Sequence, residues 1–166
     1  MSLTIGFIGL GNMGAPMSAN LAAAGHTVRG FDVAGTTAQG VTIATDIGAA
    51  VTGADIVITM LPNGAILRDV AAQAIPQMNA GALFIDCATV DVESARATAQ
   101  TAEKAGLLFV DAPVSGGIGG ATAGTLTFMA GGTEDGFEQA KPLFDIMGQK
   151  AVHCGASGAG QAAKIC

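Results

Sequence analysis

Short apolar runs alternate along the chain with longer segments that carry apolar residues at helical spacing. Leu3-Thr4-Ile5-Gly6-Phe7-Ile8 reads as a buried strand, and Asn12 to Ala24 as a helix with Pro16 in its first turn and Gly25 just past its end. Thr27 to Phe31 follows as a strand closed by Asp32, Asp46 to Thr52 as a short helix, and Ala54 to Leu61 as an apolar run stopped by Pro62 and Gly64. Ala65 to Gln73 is helical in pattern, Ala82 to Cys87 strand-like, Val92 to Lys104 a helix ended by Gly106, and Leu107 to Val110 a strand. Beyond a glycine-rich loop, Thr125 to Ala130 predicts a strand, Glu134 to Met147 a helix and Ala151 to His153 a last short strand. Strands without polar alternation belong to a parallel sheet covered on both faces, so the pattern predicts a doubly wound, mostly parallel α/β domain without internal repeat or linker.

Composition narrows what such a domain could do. The 166 residues suffice for one compact domain, and half of them are hydrophobic, which excludes disorder. A net charge of −6 with no Lys/Arg cluster argues against nucleic acid and anionic membrane surfaces as partners. The first charged residue is Arg29, yet Gly6, Gly9, Gly11, Gly14 and Pro16 break any apolar helix before it, so neither a signal peptide nor a membrane span is expected there. The uncharged stretch Ala112 to Thr133 holds seven glycines and fails the same test. Cys87, Cys154 and Cys166 match no zinc spacing and are odd in number, which fits a reducing compartment; a soluble, cytoplasmic protein is the expectation.

Gly9-Leu10-Gly11-Asn12-Met13-Gly14 is G-x-G-x-x-G, set directly between the first predicted strand and the first predicted helix. The first glycine permits the tight turn, the second lets the backbone approach a pyrophosphate, and the third lets the helix pack closely on the strand. The unpaired N–H groups and positive dipole end of that helix then face the phosphates. Asp32 closes the second strand, at the position where an acid accepts hydrogen bonds from the adenosine ribose and repels a 2′-phosphate. The motif therefore predicts a Rossmann-like dinucleotide site with NAD as cofactor. Asp32 capping a turn is the weaker alternative, and Arg29 reads as a solvated charge.

Hydride transfer from an alcohol needs a group to take the hydroxyl proton. Tyr is absent, and His26 and His153 have nothing beside them in sequence to suggest chemistry. Of the lysines, Lys104, Lys141 and Lys150 sit in surface-like surroundings, whereas Lys164 ends the small, uncharged segment Gly158-Ala159-Gly160-Gln161-Ala162-Ala163. By pattern alone Lys164 is either a desolvated base or a solvated residue near the chain's end. Ser115-Gly116-Gly117, in the loop after Asp111, offers either donors for a carboxylate at the carboxyl edge of the sheet or an ordinary turn.

Taken together, these segments resemble the β-hydroxyacid dehydrogenases. Phe7 to Gly14, continuing through Met17-Ser18-Ala19-Asn20-Leu21, is similar to that family's N-terminal cofactor motif. Thr59-Met60-Leu61-Pro62 resembles the strand end lying along the dinucleotide, and Asp86-Cys87-Ala88-Thr89 the segment whose threonine approaches the nicotinamide. Asp111 to Gly117 resembles the substrate-carboxylate loop, and Gly158 to Lys164 the G-x-G-x-x-x-K segment whose lysine is the acid/base. The stretch Asp111 to Gly132 favours the hydroxyisobutyrate branch of the family.

The resemblance implies NAD held by Gly9, Leu10, Gly11, Asn12, Met13, Gly14, Asp32, Met60, Leu61, Pro62 and Thr89, a small hydroxyacid held by Ser115, Gly116 and Gly117, and Lys164 as the catalytic group. It implies oxidation of 3-hydroxyisobutyrate, a step of valine breakdown. A reductase of tartronate, succinic or glyoxylic semialdehyde, or a nonenzymatic dinucleotide-binding module, are the alternatives. In the family the lysine is followed by a pair of asparagines and an all-helical second domain that builds the oligomer; here Cys166 follows two residues after it. The expectation is a dinucleotide-binding domain over residues 1–157, the start of the interdomain helix over 158–166, and the second domain absent from this sequence.

Overall fold

The computed structural model describes residues 2–166. Its first half alternates strand and helix: β1 (Thr4–Ile8), α1 (Gly14–Ala23), β2 (Thr27–Phe31), β3 (Thr42–Ile43), α2 (Ile47–Val51), β4 (Ile56–Thr59), α3 (Gly64–Ala74), β5 (Leu83–Asp86), α4 (Val92–Lys104) and β6 (Leu108–Asp111). The strands from β1 to β6 run parallel in the spatial order β3-β2-β1-β4-β5-β6. That order places the switch point, where chain direction across the sheet reverses, beside β1 and its glycine-rich turn.

Both faces of the sheet are buried, which is why its strands show no polar alternation. Ile5, Phe7, Ile58, Ile85 and Val110 face one cluster with Met17 and Leu21 of α1, while Ile8, Val57, Phe84 and Phe109 face the other with Leu67 of α3 and Ala95 of α4. Successive side chains alternate between two apolar layers rather than between core and water.

The chain continues through β7 (Val114–Ser115), α5 (Gly117–Ala123), β8 (Leu126–Gly131), α6 (Glu134–Met147), β9 (Gly148–Gly155) and α7 (Ala159–Ile165). Here β8 runs antiparallel to β6 and β7, and β9 lies parallel to β8 along its other side. Two expectations change. The glycine-rich loop contains α5, and β9 is longer than the expected Ala151 to His153. Glycine disfavours a helix by roughly 1 kcal/mol per residue, but Ala121 is fully buried and Asn20 on α1 donates its side-chain amide to the Ala121 carbonyl, so tertiary packing overrides local preference.

Candidate dinucleotide and acid/base site

The turn after β1 is shaped by close approach. Gly9 has φ +102°, and a Cβ there would strike the Met60 carbonyl; a Cβ on Gly14 would strike the carbonyl of Gly9. Gly11, by contrast, has open space where its Cβ would stand, as a backbone that receives a ligand requires. The next helix, α1, has no side-chain cap, whereas Asp46, Asn63, Asp91 and Thr133 cap α2, α3, α4 and α6. Within its first turn the Ala15 N–H donates to the Gly11 carbonyl at 3.0 Å and Pro16 has none, so the Gly14 N–H is the group left for an anion.

Asp32 stands at the end of β2, beside this turn. One carboxylate oxygen accepts from the Leu10 N–H at 2.7 Å, and the other from the Ala34 N–H at 2.8 Å. The side chain thus caps its own turn, the reading the sequence made the weaker one, and ties that turn to the glycine-rich loop, while each oxygen keeps a second lone pair able to accept from a hydroxyl. Leu10 itself is buried and contributes only its backbone here.

A cleft of about 380 Å³ opens over the turn, lined by Gly9, Gly11, Asn12, Met13, Gly14, Asp32, Met60, Leu61 and Pro62 together with further apolar walls. Those walls are Ile8, Phe31, Val33, Ile47, Ile66 and Val70; Ile8 stands in the cofactor motif, and the other five were not assigned to the site from the sequence. Val33 is 93% exposed, and a large aliphatic residue placed right after the ribose-type acid was the signal available for it.

Thr89, Ser115, Gly116, Gly117 and Lys164 lie outside this cleft; α7 carries Lys164 and bonds to Val114, Ala88 and Val90, the chain neighbours of Ser115 and Thr89. The Lys164 ammonium, half-buried, donates to the Val114 carbonyl at 2.8 Å, one residue before the exposed Ser115. Gly116 and Gly117 adopt φ +133° and +63° and open α5 without a side-chain cap. Gln161 is fully buried, donates its amide to the Ala88 carbonyl at 2.7 Å and accepts from the Val90 N–H at 3.1 Å. Thr89, between those two anchored residues, is exposed.

Behind these loops, Thr59, Asp86 and Asp111 stand in register on neighbouring strands and all are fully buried. The Thr59 hydroxyl donates to Asp86 at 2.8 Å, as does the Ala88 N–H at 3.2 Å, while the second Asp86 oxygen has no partner among the described residues. Burial pushes the Asp86 carboxyl up to about 7 against these hydrogen bonds, and the nearby Asp111 charge adds to the rise. Burial also raises Asp111, opposed by the N–H groups of Gly158 and Gln161, and holds the Cys87 thiol well above its usual range.

Residues 4–155 match the NAD binding domain of 6-phosphogluconate dehydrogenase. A probable 3-hydroxyisobutyrate dehydrogenase of Mycobacterium tuberculosis is 51% identical, the match covering 98% of this chain and 57% of the relative. The chain belongs to the β-hydroxyacid dehydrogenase family. As a member of that family it superposes on a solved structure of Mycobacterium tuberculosis 3-hydroxyisobutyrate dehydrogenase with L-serine at TM-score 0.97 and 51% identity, covering all of this chain and 59% of that one. An NAD-dependent L-serine dehydrogenase of Pseudomonas aeruginosa is 46% identical over 98% of this chain and 57% of its own length. The chain thus spans little more than half the length of the curated relatives it matches.

The cofactor of this β-hydroxyacid dehydrogenase chain is NAD. The residues fit it: the backbone at Gly11 is open, α1 is uncapped, and the apolar cleft ends at a carboxylate with lone pairs to spare. No helix among the described residues is long and apolar enough to cross a membrane.

Proposed function

We propose that this chain forms the cofactor-binding and acid/base portion of an NAD-dependent dehydrogenase that oxidises the primary alcohol of 3-hydroxyisobutyrate to methylmalonate semialdehyde, in valine breakdown. The observation that carries the reading is the Lys164 contact with the carbonyl of Val114, the residue before Ser115 and the two glycines, which supports a shared site for the lysine and that loop. Ser115, Gly116 and Gly117 hold the substrate carboxylate, Thr89 borders the nicotinamide side, and Lys164 as the free amine takes the hydroxyl proton. In the reducing direction its ammonium returns that proton to the carbonyl oxygen. NAD, when bound, supplies the acceptor for the hydride that leaves the same carbon. Residues 1–157 make the dinucleotide domain and 158–166 open the helix that carries the lysine, with the further length seen in the relatives closing the substrate site and building a homo-oligomer in the cytoplasm.

For the 166-residue chain alone the expectation is NAD binding with little or no turnover, since a site open to water lacks the exclusion that hydride chemistry needs. Calorimetric titration with NAD, run beside an assay of NADH formation from 3-hydroxyisobutyrate, tests both halves; a chain that takes up no NAD ends the proposal. The 46% identity to an NAD-dependent L-serine dehydrogenase supports a second reading, L-serine as the 3-hydroxyacid. Comparing kcat/KM for the two acids, in the chain joined to the remaining part of the Mycobacterium tuberculosis relative, decides between them.

A further inference from the structure

The helix that carries Lys164, Ala159–Ile165, takes its place from what holds its first turn. Its N-cap is Gly158, which has no side chain to satisfy the first N–H groups. Asp111, at the end of β6, does this from 47 to 50 residues away. One of its oxygens accepts from the Gly158 N–H at 2.8 Å and the other from the Gln161 N–H at 3.1 Å. A single carboxylate thus serves both the N-cap and the third helical residue, the two donors that a capping box serves with two side chains. The fit leaves no slack: a Cβ on Gly160 would come within 2.9 Å of one Asp111 oxygen, and a Cβ on Gly131 within 2.7 Å of the other.

Gln161 fixes the rotation of the same helix. Its buried amide is held at both ends by the loop after β5, through Ala88 and Val90. Lys164 is three residues on and therefore on the neighbouring side of the helix. With the start of α7 held by Asp111 and its turn by Gln161, the lysine arm is directed onto the Val114 carbonyl.

Resting on the reading of Lys164 as the acid/base, we infer that Asp111 and Gln161 are positioning residues, which set the Lys164 ammonium against the carboxylate loop and couple its place to that of the Thr89 loop. Neither needs to touch substrate for this.

The chain has four lysines, Lys104, Lys141, Lys150 and Lys164, so lysine-selective NMR on the whole 166-residue chain resolves them individually. In the unaltered chain the Lys164 side-chain nitrogen shows a through-hydrogen-bond coupling to the Val114 carbonyl carbon. Gln161→Met, close in shape but without hydrogen-bonding groups, reduces that coupling at least twofold and shifts the Thr89 amide resonance, while NAD affinity by calorimetry stays within about threefold and the other lysine signals stay in place. Asp111→Asn, which turns one acceptor into a donor facing an N–H, gives the same loss and decides the matter if the Met variant does not fold. A Lys164–Val114 coupling that is missing from the unaltered chain, or unchanged in both variants, overturns the inference. Absence of NAD binding by the unaltered chain overturns the dehydrogenase reading instead, so the two failures are told apart.

Discussion

The Lys164 side chain reaches back across 50 residues to place its nitrogen 2.8 Å from the carbonyl oxygen of Val114. The partner is a backbone group, so the contact fixes where the amine stands without supplying a counter-charge. Loss of a well-placed acid/base group costs about 10²- to 10⁴-fold in rate. Lys164→Ala, in the chain joined to the remaining part of the Mycobacterium tuberculosis relative, is expected to lower kcat by that amount and to leave NAD affinity nearly unchanged. Near-normal turnover would show that the proton goes elsewhere.

Asp32 has two duties, and its removal is expected to show both. Hydrogen bonds to a charged group contribute about 1.5–3 kcal/mol each, so Asp32→Ala should weaken NAD binding about 10- to 100-fold and narrow the preference over NADP. The Leu10 N–H, which now donates to this carboxylate, loses its partner. Amide exchange at Leu10 should therefore quicken in the variant even without cofactor, a change that loss of ribose contacts alone would not produce.

Val33 offers a test of the cleft that is free of folding effects. It is 93% exposed, so Val33→Ser should leave the unfolding temperature where it is. Covering an aliphatic side chain with a ligand contributes about 1–2 kcal/mol, and NAD binding should weaken about 5- to 30-fold. An unaltered dissociation constant would show that bound NAD does not cover Val33.

The buried carboxyl of Asp86 makes stability depend on pH in an unusual direction. Its folded-state value of about 7 lies above the ordinary 3.8, so the folded chain binds the proton more tightly than the unfolded one. Stability from this group is complete below about pH 4 and is lost as pH rises towards 7, a change on the order of 4 kcal/mol. Asp86→Asn keeps an acceptor for Thr59 and Ala88 while removing the ionisation. Urea unfolding at pH 5 and pH 8 should show a clear drop for the native chain and a smaller one for the variant, the remainder of the same sign coming from Asp111.

The parts legible in the sequence are those whose rules are local. Gly9, Gly11 and Gly14 announce a phosphate turn because their spacing within six residues, between an apolar run and a helical pattern, is itself the signal, and the strands from β1 to β6 show themselves by apolar runs between turn residues. The apolar walls were not legible, because Val33, Ile47 and Ile66 come from separate elements and meet only after folding. For the same reason the contacts of Asp111 and Gln161 gave no signal, although both residues stand in legible motifs: their hydrogen bonds cross 47 to 73 residues. Helix α5 was hidden by its glycines, whose low propensity is offset by packing of Ala121 against the α1 side of the sheet.

The aliphatic walls of the cleft also set the thermal signature of recruitment. Val33 and Ile66 stand wet in the free chain, and a dinucleotide covering them would release the water that hydrates both. Heat evolved per mole would then grow steadily as titrations are run from cold to warm, a negative heat-capacity change that polar contacts with phosphate and sugar do not generate by themselves.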